Sequence, residues 1–257
     1  MACQPAAAVP EPISHWSSGP ALVAYISAAL LVLHLLTASR YGYFGDEMYH
    51  LACGEHLSWG YVDQPPLIAL VAWLVRHTLG TSLLAIRFVP ALSFAATVLL
   101  TGAITRELGG GRFARALAAL TIACSSVYLV LGYLFTMNAW EPLLWMGCAY
   151  VVIRILKTGN QKLWLWFGVL SGIGLENKYS MAVFGFAVVV GLLLSSERKA
   201  LAHKWIWIAG GLALAIFLPN VLWNFRHHWP FLELMHNIRV SGRDVVLAPG
   251  STLFSRS

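Results

Sequence analysis

Asp46, Glu47, Glu55 and Asp63 fall within one short stretch, Tyr41 to Leu67, of a chain that has only 11 acids in 257 residues. Carboxylates beside an apolar segment are costly and usually functional. One that faces a partly dry cavity can take a proton from an attacking hydroxyl as the new bond forms. Asn138 with Glu141, Glu176 with Asn177 and Lys178, and His227 with His228 add further polar groups between apolar runs. Lys178, Arg226 or a protonated histidine can neutralise a phosphate leaving group. Together these residue types point to transfer of a group from a lipid-linked phosphate.

The elements that must position them are membrane helices. Hydrophobic residues make up 58% of the chain and charged residues 11%, against about 25% charged in soluble domains. The net charge of +6 is spread in small groups between apolar runs, without the basic stripe of a nucleic-acid site, so no nucleic-acid partner is expected. Cys3, Cys53, Cys124 and Cys148 form no CxxC pair; Cys124 and Cys148, within apolar runs, read as small buried hydrophobes, and neither a zinc site nor a disulfide framework is expected.

In chain order, residues 1–19 form an Ala/Pro/Ser-rich tail without the charged start of a signal peptide, and residues 20–222 a transmembrane domain. The apolar stretches Pro20–Ala38, Leu83–Ile104, Ala116–Met137, Pro142–Ile153, Leu163–Leu175, Ser180–Leu194 and Trp205–Val221 predict an all-α polytopic bundle with about seven crossings. Residues 40–82 form the first outer loop, in which Pro65–Leu79 is short enough to lie along the membrane surface as an amphipathic helix. Residues 223–257 make an outer-face segment. Arg106, Arg112, Arg115, Arg154, Lys157, Lys162, Arg198, Lys199 and Lys204 then cluster in inner loops, as the positive-inside tendency asks. The acids of the first loop face outward.

The run Phe44-Gly45-Asp46-Glu47-Met48-Tyr49-His50, followed by Gly60-Tyr61-Val62-Asp63-Gln64-Pro65-Pro66-Leu67, resembles the first outer loop of the family 39 protein-mannosyltransferase-like glycosyltransferases. Arg106–Gly110, Glu176-Asn177-Lys178-Tyr179-Ser180, Phe217–Asn220 and His228-Trp229-Pro230 continue the resemblance. It implies an integral membrane enzyme of the C-type glycosyltransferase fold. A polyprenyl-phosphate sugar would be the donor, and a lipid, glycan or protein hydroxyl the acceptor. By that likeness Asp46 is the catalytic base, Glu47 its partner and Asp63 a second acid before the Pro-Pro turn. Lys178 is the candidate for the donor phosphate, from its charge and position. Asn138, Glu141, Tyr179 and His228 complete the expected substrate-binding set. The setting implied is a bacterial inner membrane, with the active face periplasmic. Members of the family are longer, so the chain is expected to be a truncated N-terminal part.

Plainer readings exist for the same residues. Asp46 and Glu47 can cap a helix, Asp63 can form a turn, and Glu176 can neutralise Lys178 at a helix end. A divalent metal on the i, i+4 pair Asp46/His50 lacks a dependable third ligand, so no metal site is assigned. The rival from another class is a transporter or carrier-binding protein without chemistry, which asks for acids inside the spans; the first and third spans have none. An inactive fragment is the other alternative.

Overall fold

The computed structural model describes residues 18–241, and all regular structure among them is helical. The helices are α1 (Gly19–Thr37), α2 (Gly45–Glu55), α3 (Leu67–Thr78), α4 (Leu83–Glu107), α5 (Arg112–Ala123), α6 (Ser126–Leu131), α7 (Glu141–Thr158), α8 (Trp164–Asn177), α9 (Ser180–Leu194), α10 (Lys204–Arg226) and α11 (Pro230–Val240). Short 3-10 turns stand at Met137–Ala139, Gln161–Leu163 and Ser196–Ala202. Most of the tail expected over residues 1–19, and residues 242–257 of the expected outer segment, lie outside the described residues.

Four elements are long and apolar enough to cross a membrane: α1, α4, Met137–Thr158 and α10. A fifth arises if α9 and Ser196–Ala202, bent by 118°, form one span. Large apolar side chains such as Phe186, Leu194, Leu214 and Phe225 stand exposed on the outside, a surface that suits lipid. The chain is an integral membrane protein. The predicted span Ala116–Met137 is divided: α5 stops at Ala123, α6 runs from Ser126, and the chain then turns. Ser125 and Ser126 stand at the break, and the turn after α6 is packed on α4. Gly132 lies so close to Phe94 that a Cβ there would meet its ring at 2.7 Å, and Tyr133 is drawn to Arg87.

α1 is started by Ser18, whose hydroxyl accepts from Ala21 N at 3.4 Å, with Pro20 in the first turn where its missing N–H costs nothing. It packs against α4 and α5 through Val23, Leu30, Phe94, Val98 and Ala119. At the opposite end of α4 from the first loop, Glu107 receives Arg154 at 3.3 Å and Lys157 at 3.1 Å. The basic loops are therefore gathered at one end. α8 lies between α7 and α10. Trp164, expected with Trp166, Trp205 and Trp207 in an interfacial belt, is instead wholly buried, because it packs on Phe167 and Ile155 inside this layer. Trp166 and Trp207 are exposed.

Gly168, Gly172 and Gly174 of α8 are contact points, as small residues at helix crossings in membranes commonly are. A Cβ on Gly168 would meet the Ala209 carbonyl oxygen of α10 at 2.6 Å and its Cα at 2.9 Å. Backbone cannot swing aside as a side chain can. Gly168→Ala is therefore expected to part α8 from α10 and destabilise the protein by about 1–3 kcal/mol. A lowered midpoint in a detergent thermal melt would show it. An unchanged melt would mean that the two helices have slack at this crossing.

Candidate active site

α2 begins where the chain leaves α1, and its first turn holds both acids. Glu47 is wholly buried. Its Oε1 accepts from Arg87 Nε at 3.0 Å and from Phe135 N at 3.1 Å; its Oε2 accepts from Arg87 Nη2 at 2.8 Å and from Phe44 N at 2.9 Å. The bond to Phe44 N also satisfies a free donor at the start of α2, which a side chain at this position is placed to do. Burial would push the Glu47 pKa up, but the Arg87 fork and the two backbone N–H groups outweigh it and hold it below its ordinary value.

Arg87 is almost fully buried in α4. Besides Glu47 it donates to the carbonyls of Ala38 (2.6 Å), Tyr41 (3.1 Å) and Gly42 (2.8 Å) and to Tyr133 Oη (2.7 Å). Its guanidinium lies over the Tyr133 ring, 4.3 Å from the centroid. One side chain thus fixes the end of α1, the loop into α2, the first turn of α2 and the segment at Tyr133–Phe135. Sequence reasoning missed it. The signal was there, since a lone arginine within an apolar stretch needs a partner, but nothing local names Glu47, forty residues earlier.

Asp46 has the opposite environment. It is exposed, and its carboxylate makes no hydrogen bond to the described residues. One turn later His50 is buried, with Nδ1 unpartnered among the described residues. Burial lowers its pKa, and the carboxylates of Asp46 and Asp63 oppose that shift. Asp63 accepts from Tyr49 Oη at 2.6 Å. The turn that carries Asp63 is docked elsewhere as well: Trp59 O accepts from Asn220 Nδ2 at 2.8 Å, and Gly60 lies directly against Trp223 of α10.

The second polar group joins α7, α8 and α9. Lys178 donates to Asn138 Oδ1 at 2.8 Å and to Glu141 Oε2 at 2.9 Å, and Ser180 Oγ donates to Glu141 Oε1. Lys178 is thus paired with Glu141 and not with Glu176. Tyr179 touches Phe217 and Phe231, and its Oη accepts from Asn224 at 3.4 Å. Burial raises the Tyr179 pKa; the amides of Asn224 and Asn220 counter it, and the carboxylates of Glu176 and Asp63 add to it. His228 is exposed on a left-handed turn, φ 59°, before α11, and its side chain makes no hydrogen bond to the described residues. Among those residues no three His, Cys, Asp or Glu side chains converge as a metal-ligand group.

The model of the family described as dolichyl-phosphate-mannose-protein mannosyltransferase matches residues 63–223, more than half of the chain. The chain belongs to that family. It is accordingly a membrane glycosyltransferase domain of the mannosyltransferase type, a class that uses lipid-linked sugar donors. The family match begins at Asp63 and takes in Asn138, Glu141, Lys178 and Tyr179, whereas Asp46 and Glu47 precede it and His228 follows it. No curated protein and no solved structure matches the chain.

Glu176, read from the sequence as a partner for Lys178, is not paired with it, since Lys178 goes to Glu141. It is 8% exposed, and its Oε2 has no hydrogen-bond partner among the described residues. It follows the apolar stretch that ends at Leu175, and burial pushes its carboxyl pKa up from 4.5 to about 7. A carboxyl whose pKa is raised in the folded state holds a proton that the unfolded chain releases above about pH 4.5. Stability from this group should therefore fall as pH rises from about 4.5 to about 7, with the full penalty above that window. Glu176→Gln is expected to flatten the melting temperature over pH 5 to 8.5 relative to the parent. Parallel curves for the two proteins would contradict it.

Proposed function

We propose that the protein moves a sugar from a polyprenyl-phosphate donor to an acceptor hydroxyl on the outer, periplasmic face of a bacterial inner membrane, with Asp46 as general base. Asp46 takes the hydroxyl proton as the acceptor oxygen attacks the anomeric carbon. The bond to the phosphate oxygen breaks, polyprenyl phosphate leaves, and in-line attack inverts the anomeric configuration. The observation that carries this reading is the division of labour between adjacent acids. Glu47 has both oxygens engaged by Arg87 and backbone N–H groups, while Asp46 presents an exposed carboxylate with no hydrogen bond to the described residues, one helical turn before the buried His50. Glu47 then acts as a positioning residue that holds the first turn of α2 so that Asp46 projects from it.

Lys178 suits the donor phosphate. Its ammonium has three donors, of which Asn138 and Glu141 use two, so one N–H is left for an anionic oxygen. Arg226 and His227 add positive or titratable groups beside Trp59, in a groove of about 410 Å³. Asp63, Tyr179 and His228 are assigned to the walls of the substrate site. The short helices α5, α6 and α8 bring the crossings to about seven, an arrangement supported by the basic loops opposite α2.

The test is to incubate the purified full chain in detergent with a polyprenyl-phosphate sugar and candidate lipid, glycan and peptide acceptors. Release of polyprenyl phosphate with an inverted anomeric signal by NMR is expected. Binding of the donor without its consumption would favour a carrier-binding protein and overturn the reading.

A further inference from the structure

Between the 57–59 turn and the start of α3 on one side, and α8 with α10 on the other, lies a cavity of about 480 Å³. Leu57, Trp59, Leu70, Ile173 and Ile216 give it apolar walls, and it is large enough for a ligand of moderate size. Ser58 and Glu176 are its polar groups, and among the described residues no lysine, arginine or histidine lines it. Glu176 is more than nine-tenths buried with Oε2 unpartnered. An unmet acceptor in an apolar wall loses hydration without compensation, a cost that a donor on a ligand would remove. Trp59 also borders the separate groove that carries Arg226 and His227. Trp59 is thus a wall residue of both the acidic cavity and the cationic groove.

Charge decides what each side can take. A phosphate next to Glu176 would meet a carboxyl and no cation, so the cavity does not suit the head of a lipid phosphate. A long aliphatic chain that ends in a hydroxyl fits both the walls and the unpartnered oxygen. We propose that this cavity is an acceptor subsite for a long-chain alcohol or hydroxylated lipid, with Glu176 as the specificity-determining residue that accepts a hydrogen bond from its hydroxyl. The word acceptor rests on the glycosyl-transfer reading; the binding chemistry does not.

The experiment uses the full chain in lipid nanodiscs with three photoreactive probes of the same C12 chain, bearing a terminal hydroxyl, a terminal phosphate or no head group, each with a mid-chain diazirine. Peptide mass spectrometry locates the adducts. The alcohol is expected to label the segments at 57–59, 66–70 and 216 about tenfold more than the alkane or the phosphate, a ratio equivalent to about 1.4 kcal/mol. Glu176→Leu should remove that preference and Glu176→Gln, which keeps an acceptor oxygen, should retain most of it. Equal labelling by alcohol and alkane, or a preference unchanged in Glu176→Leu, would overturn the proposal; so would dominant labelling by the phosphate probe. Circular dichroism and a thermal melt of each variant confirm that it is folded before labelling is compared. Glu176-dependent labelling in a protein that never consumes a sugar donor would support the alcohol site while sinking glycosyl transfer. Sugar transfer with no alcohol preference would do the reverse.

Discussion

Asp46→Asn is expected to lower sugar transfer by about 100- to 10,000-fold, the contribution a positioned general base makes, and to leave the melting temperature unchanged. Both halves come from the geometry. The Asp46 carboxylate is exposed and makes no hydrogen bond to the described residues, so exchange of one oxygen for an amide removes no native contact. The amide cannot take a proton from an attacking hydroxyl, while its size and polarity keep the first turn of α2 intact. The loss should appear in kcat with little change in KM for the donor, because the base acts on the acceptor proton in the transition state. Turnover by the Asn variant within a few-fold of the parent would remove Asp46 from the chemistry. In that outcome Asp63, hydrogen-bonded by Tyr49 at 2.6 Å, would be the next acid to test by the same substitution.

Much of the fold could be read in advance where the determinants are local. The length and polar ends of Pro65–Leu79 foretold α3 as a helix too short to span, and the polar triplet at Glu176–Lys178 marked the boundary between α8 and α9. The glycines of α8 marked a close crossing because packing at a small residue depends on that residue alone. What depended on distant partners could not be read. Ala116–Met137 carries no charge and reads as one span, while the turn that follows α6 is packed against Phe94 and Arg87 of α4, far away in the chain. The adjacent pair Asp46/Glu47 was evident as a motif, yet which acid is engaged is decided by Arg87. Lys178 had two acidic candidates, and only the three-dimensional turn selects Glu141 over Glu176. The apolar cavity at Glu176 is assembled from four separate segments, so its walls have no common signature in the chain.

Arg87→Ala should be the most destabilising single change in this region. Removal of the guanidinium leaves the Glu47 carboxylate buried with only the Phe44 and Phe135 N–H groups, takes the Arg87 donor from the carbonyls of Tyr41 and Gly42, and leaves the Ala38 carbonyl with Tyr133 Oη alone at 3.4 Å. Breaking a buried pair from one side costs about 3–5 kcal/mol, so the expected result is a large fall in the detergent melting temperature, or failure to recover folded protein. Arg87→Lys keeps the charge but loses the planar fork that reaches both Glu47 oxygens, and should fall between the parent and the alanine variant. Glu47→Gln should also be destabilising, and the double variant Arg87→Met with Glu47→Gln should be less damaged than the sum of the singles, since no charge is then left buried alone. Acid should act in the same direction. The Glu47 pKa is lowered on folding, so its contribution is present above the ordinary value of 4.5 and is lost as pH falls below it toward the folded value. If Arg87→Ala melts like the parent while Asp46→Asn is inactive, α2 is held by something other than this pair, and the positioning role given to Glu47 fails although the base assignment stands.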